Sequence, residues 1–305
     1  MRPAGTLHRL GLAALFGGAT GIGFAPIFVR LSETGPTATA FYRLLFALPC
    51  LWLWMGIEQA RRPALVRPST GVDFAWLGAA GLLFTADLSI WHWSLQFTSV
   101  TDSTLITNIA PLFVTLGAWL FLGERITARF LIGMGVAIAG GVLLAGASYS
   151  VSSRHLLGDG LSLVAAVFYA GYLLLLKRLR RSFTTPVIMA WAGLASGVGF
   201  GVVAWLSGDQ MHADTARGWW VLVGLALVSH VGGQTLIAFG FGHLPASFSS
   251  VSLLWQPVVA AVAARLVLGE HVRSVQAIGA VVVLLGIGWA GTPPARPTPS
   301  PATGP

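Results

Sequence analysis

The sequence predicts an all-α integral membrane protein with ten transmembrane helices, arranged as two inverted repeats of five helices. Only 9% of the 305 residues are charged and 55% are hydrophobic, whereas a soluble domain carries about 25% charged residues. Ten apolar stretches approach the length of about 20 residues that crosses a bilayer. The second half of the chain also repeats the first half. These observations indicate that the bilayer is the main solvent of the folded chain.

Short polar segments separate the ten apolar stretches. A basic N-terminal segment, residues 1–9, precedes an apolar stretch that is too long for a signal-peptide core, so we predict that it is retained as span one. Spans four and nine each contain a proline, which neighbouring helices can accommodate. Residues 292–305 are rich in proline and are predicted to be a disordered tail. The predicted spans are residues 10–31, 37–56, 74–96, 103–122, 129–147, 158–176, 186–207, 218–241, 246–268 and 274–291.

The distribution of basic residues predicts the orientation of the chain. Of its 18 Lys and Arg residues, twelve fall on the side of the N-terminus, four on the opposite side and two within spans. Basic residues concentrate in cytoplasmic loops, so both termini are predicted to be cytoplasmic in a cell membrane. Because these charges are scattered between apolar stretches, the net charge of +8 does not indicate nucleic-acid binding. The single cysteine, Cys50, excludes an internal disulfide and a cysteine-rich metal site.

An internal repeat relates residues 95–141 to residues 241–287 at a constant offset of 146. Since five spans per half is an odd number, the second half must enter the membrane in the opposite orientation. Inverted repeats of this kind are typical of secondary transporters, whose binding site lies near the bilayer midplane. We place the repeats at 10–147 and 158–291. The matched pairs include Pro111 with Pro257, Leu122-Gly123-Glu124 with Leu268-Gly269-Glu270, Gly133 with Gly279, and Gly140 with Gly286.

Two stretches resemble the EamA-type repeat of the drug/metabolite transporter superfamily: SLQFTSVTDSTLITNIAPLFVTLGAWLFLGERIT and FGHLPASFSSVSLLWQPVVAAVAARLVLGEHV. The run Phe41-Tyr42-Arg43 in span two is similar to the aromatic-x-Arg pattern of that family. The resemblance implies ten spans, cytoplasmic termini, no cofactor and, in most members, metabolite export. The second copy departs from the pattern, since His271 stands where the first has Arg125 and span seven lacks a counterpart of Arg43. Two equivalent half-sites are therefore not expected.

Ionisable residues within spans are costly and are candidates for function. Asp87 and His92 both lie in span three, about 140° apart around the helix. Asp87 could couple transport to protons, hold a cationic substrate group, or pair with Arg43. His92 could take part in transport or simply pack with a hydrogen bond. Arg43 could bind a carboxylate, pair with Asp87 or extend its charge towards the interface.

Neutral polar and aromatic side chains supply further candidates. Within spans, amide side chains must find partners in apolar surroundings, so they predict either a polar site between the repeats or interhelical bonds alone. Deep aromatic side chains predict an aromatic-lined cavity or ordinary core packing. Glu124 and Glu270 are expected to cap or pair at their corners rather than to touch substrate. The candidates are Asn108, Gln234, Gln256, Trp91, Trp255 and Tyr169.

No enzyme motif, nucleotide-binding loop or metal-ligand pattern occurs in the sequence. We therefore expect neither a cofactor nor a metal, and a gradient, exchange or downhill flow as the energy source. The expected partners are a small-molecule substrate, membrane lipid and, through glycines 193, 197 and 201, either a neighbouring helix or a second copy of the chain.

The sequence favours a secondary transporter that exports a small organic metabolite, amino-acid-like or aromatic, by alternating access. Alternatives are a non-transporting membrane protein, such as an assembly factor or a membrane enzyme, and a channel. The loops are short for an assembly factor, acid–base and metal constellations are lacking for an enzyme, and no filter-like motif favours a channel.

Overall fold

The computed structural model describes residues 4–98, 100–145, 153–269 and 273–291, and these residues form helices joined by short loops, without a strand. The predicted tail at 292–305 lies outside the described residues, as does Glu270. The helices are Ala4–Gly23, Ala25–Leu31, Pro36–Arg61, Gly71–Ser94, Val100–Thr107, Ala110–Leu122, Ala128–Ala145, Ser153–Leu179, Thr185–Ser207, Ala216–Gly224, Thr235–His243, Ala246–Ser252, Trp255–Leu268 and Ser274–Gly291, with a π-helix at Leu225–Gln234.

Ten helical segments of the described chain are long and apolar enough to cross a membrane, as the sequence predicted. Spans nine and ten have the predicted bounds, and the largest difference lies at the end of span two, which continues to Arg61. Span three begins at Gly71 because Thr70 and Asp73 form a capping box there, each side chain accepting the other's backbone N–H. The spans are Thr6–Leu31, Pro36–Arg61, Gly71–Ser94, Asp102–Leu122, Ala128–Ala145, Leu156–Leu179, Thr185–Ser207, Ala216–His243, Ala246–Leu268 and Ser274–Gly291.

The α-helices of spans four and nine are each interrupted shortly before their proline. The α-helix pauses at residues 108–109 in span four and at residues 253–254 in span nine. Tighter turns maintain the backbone bonding at these breaks, with Ile109 N donating to Ile106 O at 3.1 Å and Leu254 N donating to Val251 O at 3.1 Å. Each break thus occurs at a similar place in its repeat and keeps backbone groups satisfied inside the bundle.

The packing of the spans follows a pseudo-two-fold pattern. Span one packs against span eight, and its repeat partner, span six, packs against span three. Span two contacts spans seven and eight, while span seven contacts spans two and three. Spans five and ten pack against each other, as do spans four and nine. Exchanging each span with its counterpart five positions along the chain preserves this pattern, as the repeat in the sequence requires.

Glycines bring the backbones of spans five and ten into direct contact. Four of the glycines matched by the repeat, Gly133, Gly140, Gly279 and Gly286, lie in this interface, so the same contact is made twice. A Cβ added to Gly140 would lie less than 3.0 Å from backbone atoms of Val283 and Gly279, and one added to Gly286 would meet the backbone of Ala137. Small residues permit this close approach between membrane helices.

Spans two and seven run side by side and cap each other at opposite ends. Glu58, near the end of span two, accepts a hydrogen bond from the Thr184 hydroxyl at 2.6 Å. Asp209, just after span seven, accepts from the N–H of Thr37 at 2.7 Å and from the N–H of Ala38 at 3.3 Å. The Asp209 contacts satisfy backbone donors at the N-terminus of span two. Each carboxylate lies at the N-terminal end of the neighbouring helix, where the helix dipole favours negative charge.

The glycine ridge of span seven is covered within the chain. Gly193 and Gly197 face Leu44 and Leu48 of span two, and Gly201 faces Phe41. This arrangement corresponds to the interpretation of the ridge as contact between neighbouring helices. The ridge is therefore not available for contact with a second copy of the chain.

We expect the Gly140→Ala substitution to destabilise the protein. The new methyl group would enter the backbone of span ten, and overpacking of this kind costs about 1–3 kcal/mol. Thermal unfolding in detergent should show a lower midpoint for this variant. The control is Gly135→Ala, because a Cβ there meets nothing within 4 Å. Equal midpoints for the two variants would contradict close backbone packing at Gly140.

Candidate functional site

A group of polar side chains from both repeats gathers inside the bundle. We call it the polar cluster. Its members are connected by hydrogen bonds and by electrostatic contacts across helices. The polar cluster consists of Arg43 from span two, Asp87 from span three, Tyr169 and Tyr172 from span six, His230 and Gln234 from span eight, and Gln256 from span nine.

Arg43 is buried, and no carboxylate of the described residues forms an ion pair with it. Its guanidinium lies 5.9 Å from the centre of the Phe84 ring, a cation–π contact. The phenol groups of Tyr169 and Tyr172 lie close enough to interact with its charge. Asp87 is also buried, but among the described residues no ion pair joins it to Arg43. Neither the expected pairing with Asp87 nor an extension of Arg43 to the surface is realised.

Two tyrosines of span six link the polar groups of spans eight and nine. The Gln234 amide donates a hydrogen bond of 2.9 Å to the Tyr172 hydroxyl in a buried environment. Tyr169 stacks on Tyr172 with ring centres 6.4 Å apart, and its hydroxyl contacts the side chain of Gln256. The two predicted amides therefore meet a tyrosine each, and span six connects spans eight and nine at this level.

A π-helix in span eight carries His230 and Gln234 into the polar cluster. It extends over Leu225–Gln234, and π-helical turns often occur at functional sites. Gly18 of span one fixes this segment, since a Cβ there would lie 2.6 Å from the Gly233 carbonyl oxygen. Sequence analysis did not single out His230. Its position in an otherwise apolar span, four residues before Gln234, was the available signal.

The other predicted site residues lie apart from the polar cluster. Trp91 and His92 contact each other near the C-terminal end of span three, with ring centres 5.4 Å apart. Asn108 lies beside span five, at 3.8 Å from a Cβ placed on Gly141. Trp255 donates to the hydroxyl of Thr20 at 3.0 Å, which joins span nine to span one. The structure thus unites five of the nine predicted residues.

Carboxylates cap helices at the ends of the bundle. Hydrogen bonds from the Thr215 hydroxyl and N–H, at 2.6 and 2.9 Å, lower the pKa of Glu33. Burial opposes ionisation of Asp209, but hydrogen bonds from Thr37 and Ala38 outweigh it, so the pKa of Asp209 is also lowered. At the other end, Glu124 accepts from the N–H of Ala246 at 2.5 Å. Glu33 and Asp209 therefore remain ionised at neutral pH, and all three carboxylates hold neighbouring spans.

The Glu124 contact joins the two repeats. Glu124 lies just after the end of span four. Its side chain accepts hydrogen bonds from the Ser247 N–H at 3.0 Å and from the Ser247 hydroxyl at 2.6 Å. Lys177, near the end of span six, donates to the Leu244 carbonyl at 2.6 Å. Both contacts hold the start of span nine. The expectation that Glu124 caps or pairs at its corner is confirmed.

Two cavities lie away from the polar cluster. An apolar cavity of about 450 Å³ lies between spans three and seven and is lined by Phe74, Gly78, Trp191, Leu194 and Ala195. A smaller cavity of about 150 Å³ is lined by residues that include Asp73, Trp76 and Arg178. Neither of these cavities is lined by Trp91, Trp255 or Tyr169, so the aromatic-lined substrate cavity stays a prediction.

Comparison with protein families matches both halves of the chain. The EamA-like transporter family model matches residues 9–146 and residues 156–292. The chain belongs to the EamA-like transporter family. This family member is a multi-pass membrane protein built from a duplicated unit, and the two matches coincide with the two halves that pack symmetrically.

Several relatives of this EamA-like transporter are named as transporters, exporters or efflux pumps. It is 28% identical over 269 residues to a probable terminal-alkyne amino-acid exporter of Streptantibioticus cattleyicolor, covering 87% of this chain and 86% of that protein. It is 26% identical to a probable amino-acid metabolite efflux pump of Escherichia coli, covering 88% and 89%. It is also 26% identical to the riboflavin transporter ImpX of Fusobacterium nucleatum, covering 90% and 94%. The names differ in substrate but agree on small molecules.

A solved structure shares the fold. A crystal structure superposes with a TM-score of 0.76 and 17% sequence identity, covering 94% of this chain and 96% of the other. At this identity the likeness supports the ten-helix architecture alone.

We expect the Tyr172→Phe substitution in this EamA-like transporter to cost about 1–3 kcal/mol, because it leaves the buried Gln234 amide without its acceptor. Unfolding midpoints in detergent would measure the loss. The control is Tyr42→Phe, which removes a bond to the Met211 carbonyl in the loop between spans seven and eight. An equal or larger fall in the unfolding midpoint of the control would contradict the expected cost of leaving the Gln234 amide unpaired.

Proposed function

We propose that this EamA-like transporter is a secondary carrier that exports a small amino-acid-like or aromatic metabolite by alternating access. The observation that carries the proposal is the polar cluster, which draws its side chains from both repeats. A site between inverted repeats can be opened to either side by rocking one repeat against the other. Two relatives support this substrate class: the probable terminal-alkyne amino-acid exporter and the probable amino-acid metabolite efflux pump.

The chemistry of the polar cluster suits an amphipathic solute. A guanidinium and a carboxylate are both buried and unpaired with each other, so each is available to a group of opposite charge on the substrate. Tyr169, Tyr172 and Phe84 add aromatic surface beside the charges. A zwitterion with an apolar side chain satisfies all three features. An apolar solute without charge would leave both ionisable groups unpaired.

We assign the coupling role to Asp87. A buried carboxylate without an ion-pair partner among the described residues can take up a proton or hold a substrate ammonium, and it can release either when water enters. His92 lies farther along span three, beyond the polar cluster. Proton coupling through Asp87 would supply energy for export without any nucleotide.

We place both termini in the cytoplasm and the protein in the cell membrane, as the distribution of basic residues predicts. The corner at Glu124 then faces the cytoplasm. Glu124 and Lys177 close this end by holding the start of span nine. Glu270 occupies the equivalent repeat position and lies outside the described residues. Alternating access requires that such contacts break on one side of the membrane while equivalent contacts form on the other side.

Asp87→Asn should abolish counterflow of pooled amino acids in proteoliposomes, because the neutral amide can neither exchange a proton at neutral pH nor balance an ammonium group. The measurement is uptake of labelled amino acids into preloaded vesicles, with and without a pH gradient. Asp214→Asn, an exposed change in an outer loop, serves as the control and should transport normally. Normal transport by Asp87→Asn would remove Asp87 from the mechanism.

Glu124→Ala should loosen the cytoplasmic end, since it removes the acceptor for span nine. A cysteine at Ser250, one turn further along and buried, reports this opening in a Cys50→Ser background. We expect an impermeant maleimide to label it several-fold faster in the Glu124→Ala variant. The matched control is Glu33→Ala, which removes a similar cap at the outer end. Equal labelling in both variants would show that Glu124 does not close this end.

A further inference from the structure

Two side chains of the polar cluster carry buried donors that have no acceptor. Arg43 is 8% exposed, and its Nε has no hydrogen-bond acceptor. His230 is 2% exposed, and neither of its ring nitrogens has a partner. Since an imidazole always carries at least one N–H, Arg43 and His230 each present an unpaired donor. The Gln256 amide belongs to the same cluster, and it has no acceptor other than the Tyr169 hydroxyl that it contacts.

The geometry places two of these donors around one aromatic ring. The Arg43 guanidinium lies 5.9 Å from the Phe84 ring centre, and the His230 ring lies 6.0 Å from it. Phe84 also contacts Tyr172 at 5.2 Å. The Phe84 ring therefore contacts both Arg43 and His230. Burying unpaired donors is costly, and a ligand that brings acceptors removes that cost.

We propose that Arg43 and His230, with the Gln256 amide, form the subsite that binds the carboxylate of the transported molecule. This inference rests on the proposed transport function and narrows the substrate class to organic carboxylates. The planar guanidinium matches the two oxygens of a carboxylate. The cluster has one permanently charged cation, which balances a carboxylate, whereas a phosphate dianion would need a second. Asp87 remains for the ammonium group or for the proton.

The test compares four probes that share a phenyl ring. L-Phenylalanine and 3-phenylpropionate carry the carboxylate, whereas phenylalaninamide and phenethylamine lack it. Competition against counterflow of labelled L-phenylalanine and thermal stabilisation of the detergent-solubilised protein are both measured. We expect the two carboxylates to compete and to stabilise, and the other two probes to do neither. Phenyl phosphate separates a carboxylate site from a general oxyanion site, and we expect it to bind weakly.

Arg43→Gln should raise the KM for L-phenylalanine roughly 10- to 100-fold, as expected for loss of a charge-assisted hydrogen bond. It should also abolish discrimination between L-phenylalanine and its amide. Arg43→Lys keeps the charge without the fork and should show part of the loss, which covers the case in which Arg43→Gln does not fold. The matched control is Arg265→Gln, an exposed arginine of span nine, which should keep full discrimination.

The outcomes separate the two proposals. Carboxylate-dependent stabilisation that Arg43→Gln removes, without counterflow, would support the subsite and contradict the carrier. Counterflow in which the acid and the amide compete equally would support the carrier and overturn the subsite. Equal loss of discrimination in the Arg265→Gln control would also overturn it. The absence of both counterflow and stabilisation by either carboxylate would overturn both proposals.

Discussion

The requirement that backbone polar groups find partners inside the protein governs this structure, because the surrounding hydrocarbon offers none. The spans satisfy it as helices, and every departure from the α-helix keeps its own bonding. The breaks at residues 108–109 and 253–254 use tighter turns, and span eight uses a π-helix at Leu225–Gln234. Two of these departures deliver side chains to the polar cluster: His230 and Gln234 from the π-helix, and Gln256 from just after the break in span nine.

The helix packing is similar in the two repeats, whereas the polar cluster is not symmetric. The repeat sets the helix packing, and the glycines of spans five and ten are used twice in the same way. The polar cluster does not follow the repeat. Arg43 has no counterpart in span seven, and His230 lies in the second repeat. Two similar halves thus carry a single set of charged groups, and a molecule bound there as we propose would have one preferred orientation.

Most of the fold could be predicted from the sequence, because length, apolarity and a constant repeat offset are local signals. The site was only partly predictable. Arg43, Asp87, Tyr169, Gln234 and Gln256 meet in space, whereas Trp91, His92, Asn108 and Trp255 contact other parts of the bundle. The sequence could not reveal the π-helix, whose wider turn rotates the residues after it relative to a regular α-helix. His230 lies within this π-helix, and the only signal for it in the sequence was its place in an otherwise apolar span, four residues before Gln234.

The reciprocal caps of spans two and seven have a mechanical consequence. Glu58 holds Thr184 at one end, and Asp209 holds Thr37 at the other. Because the helices run in opposite directions, axial translation of one along the other would stretch or compress both contacts together. A change in the crossing angle would also separate both contacts, because it moves the helix ends most. Spans two and seven are therefore expected to move as one unit.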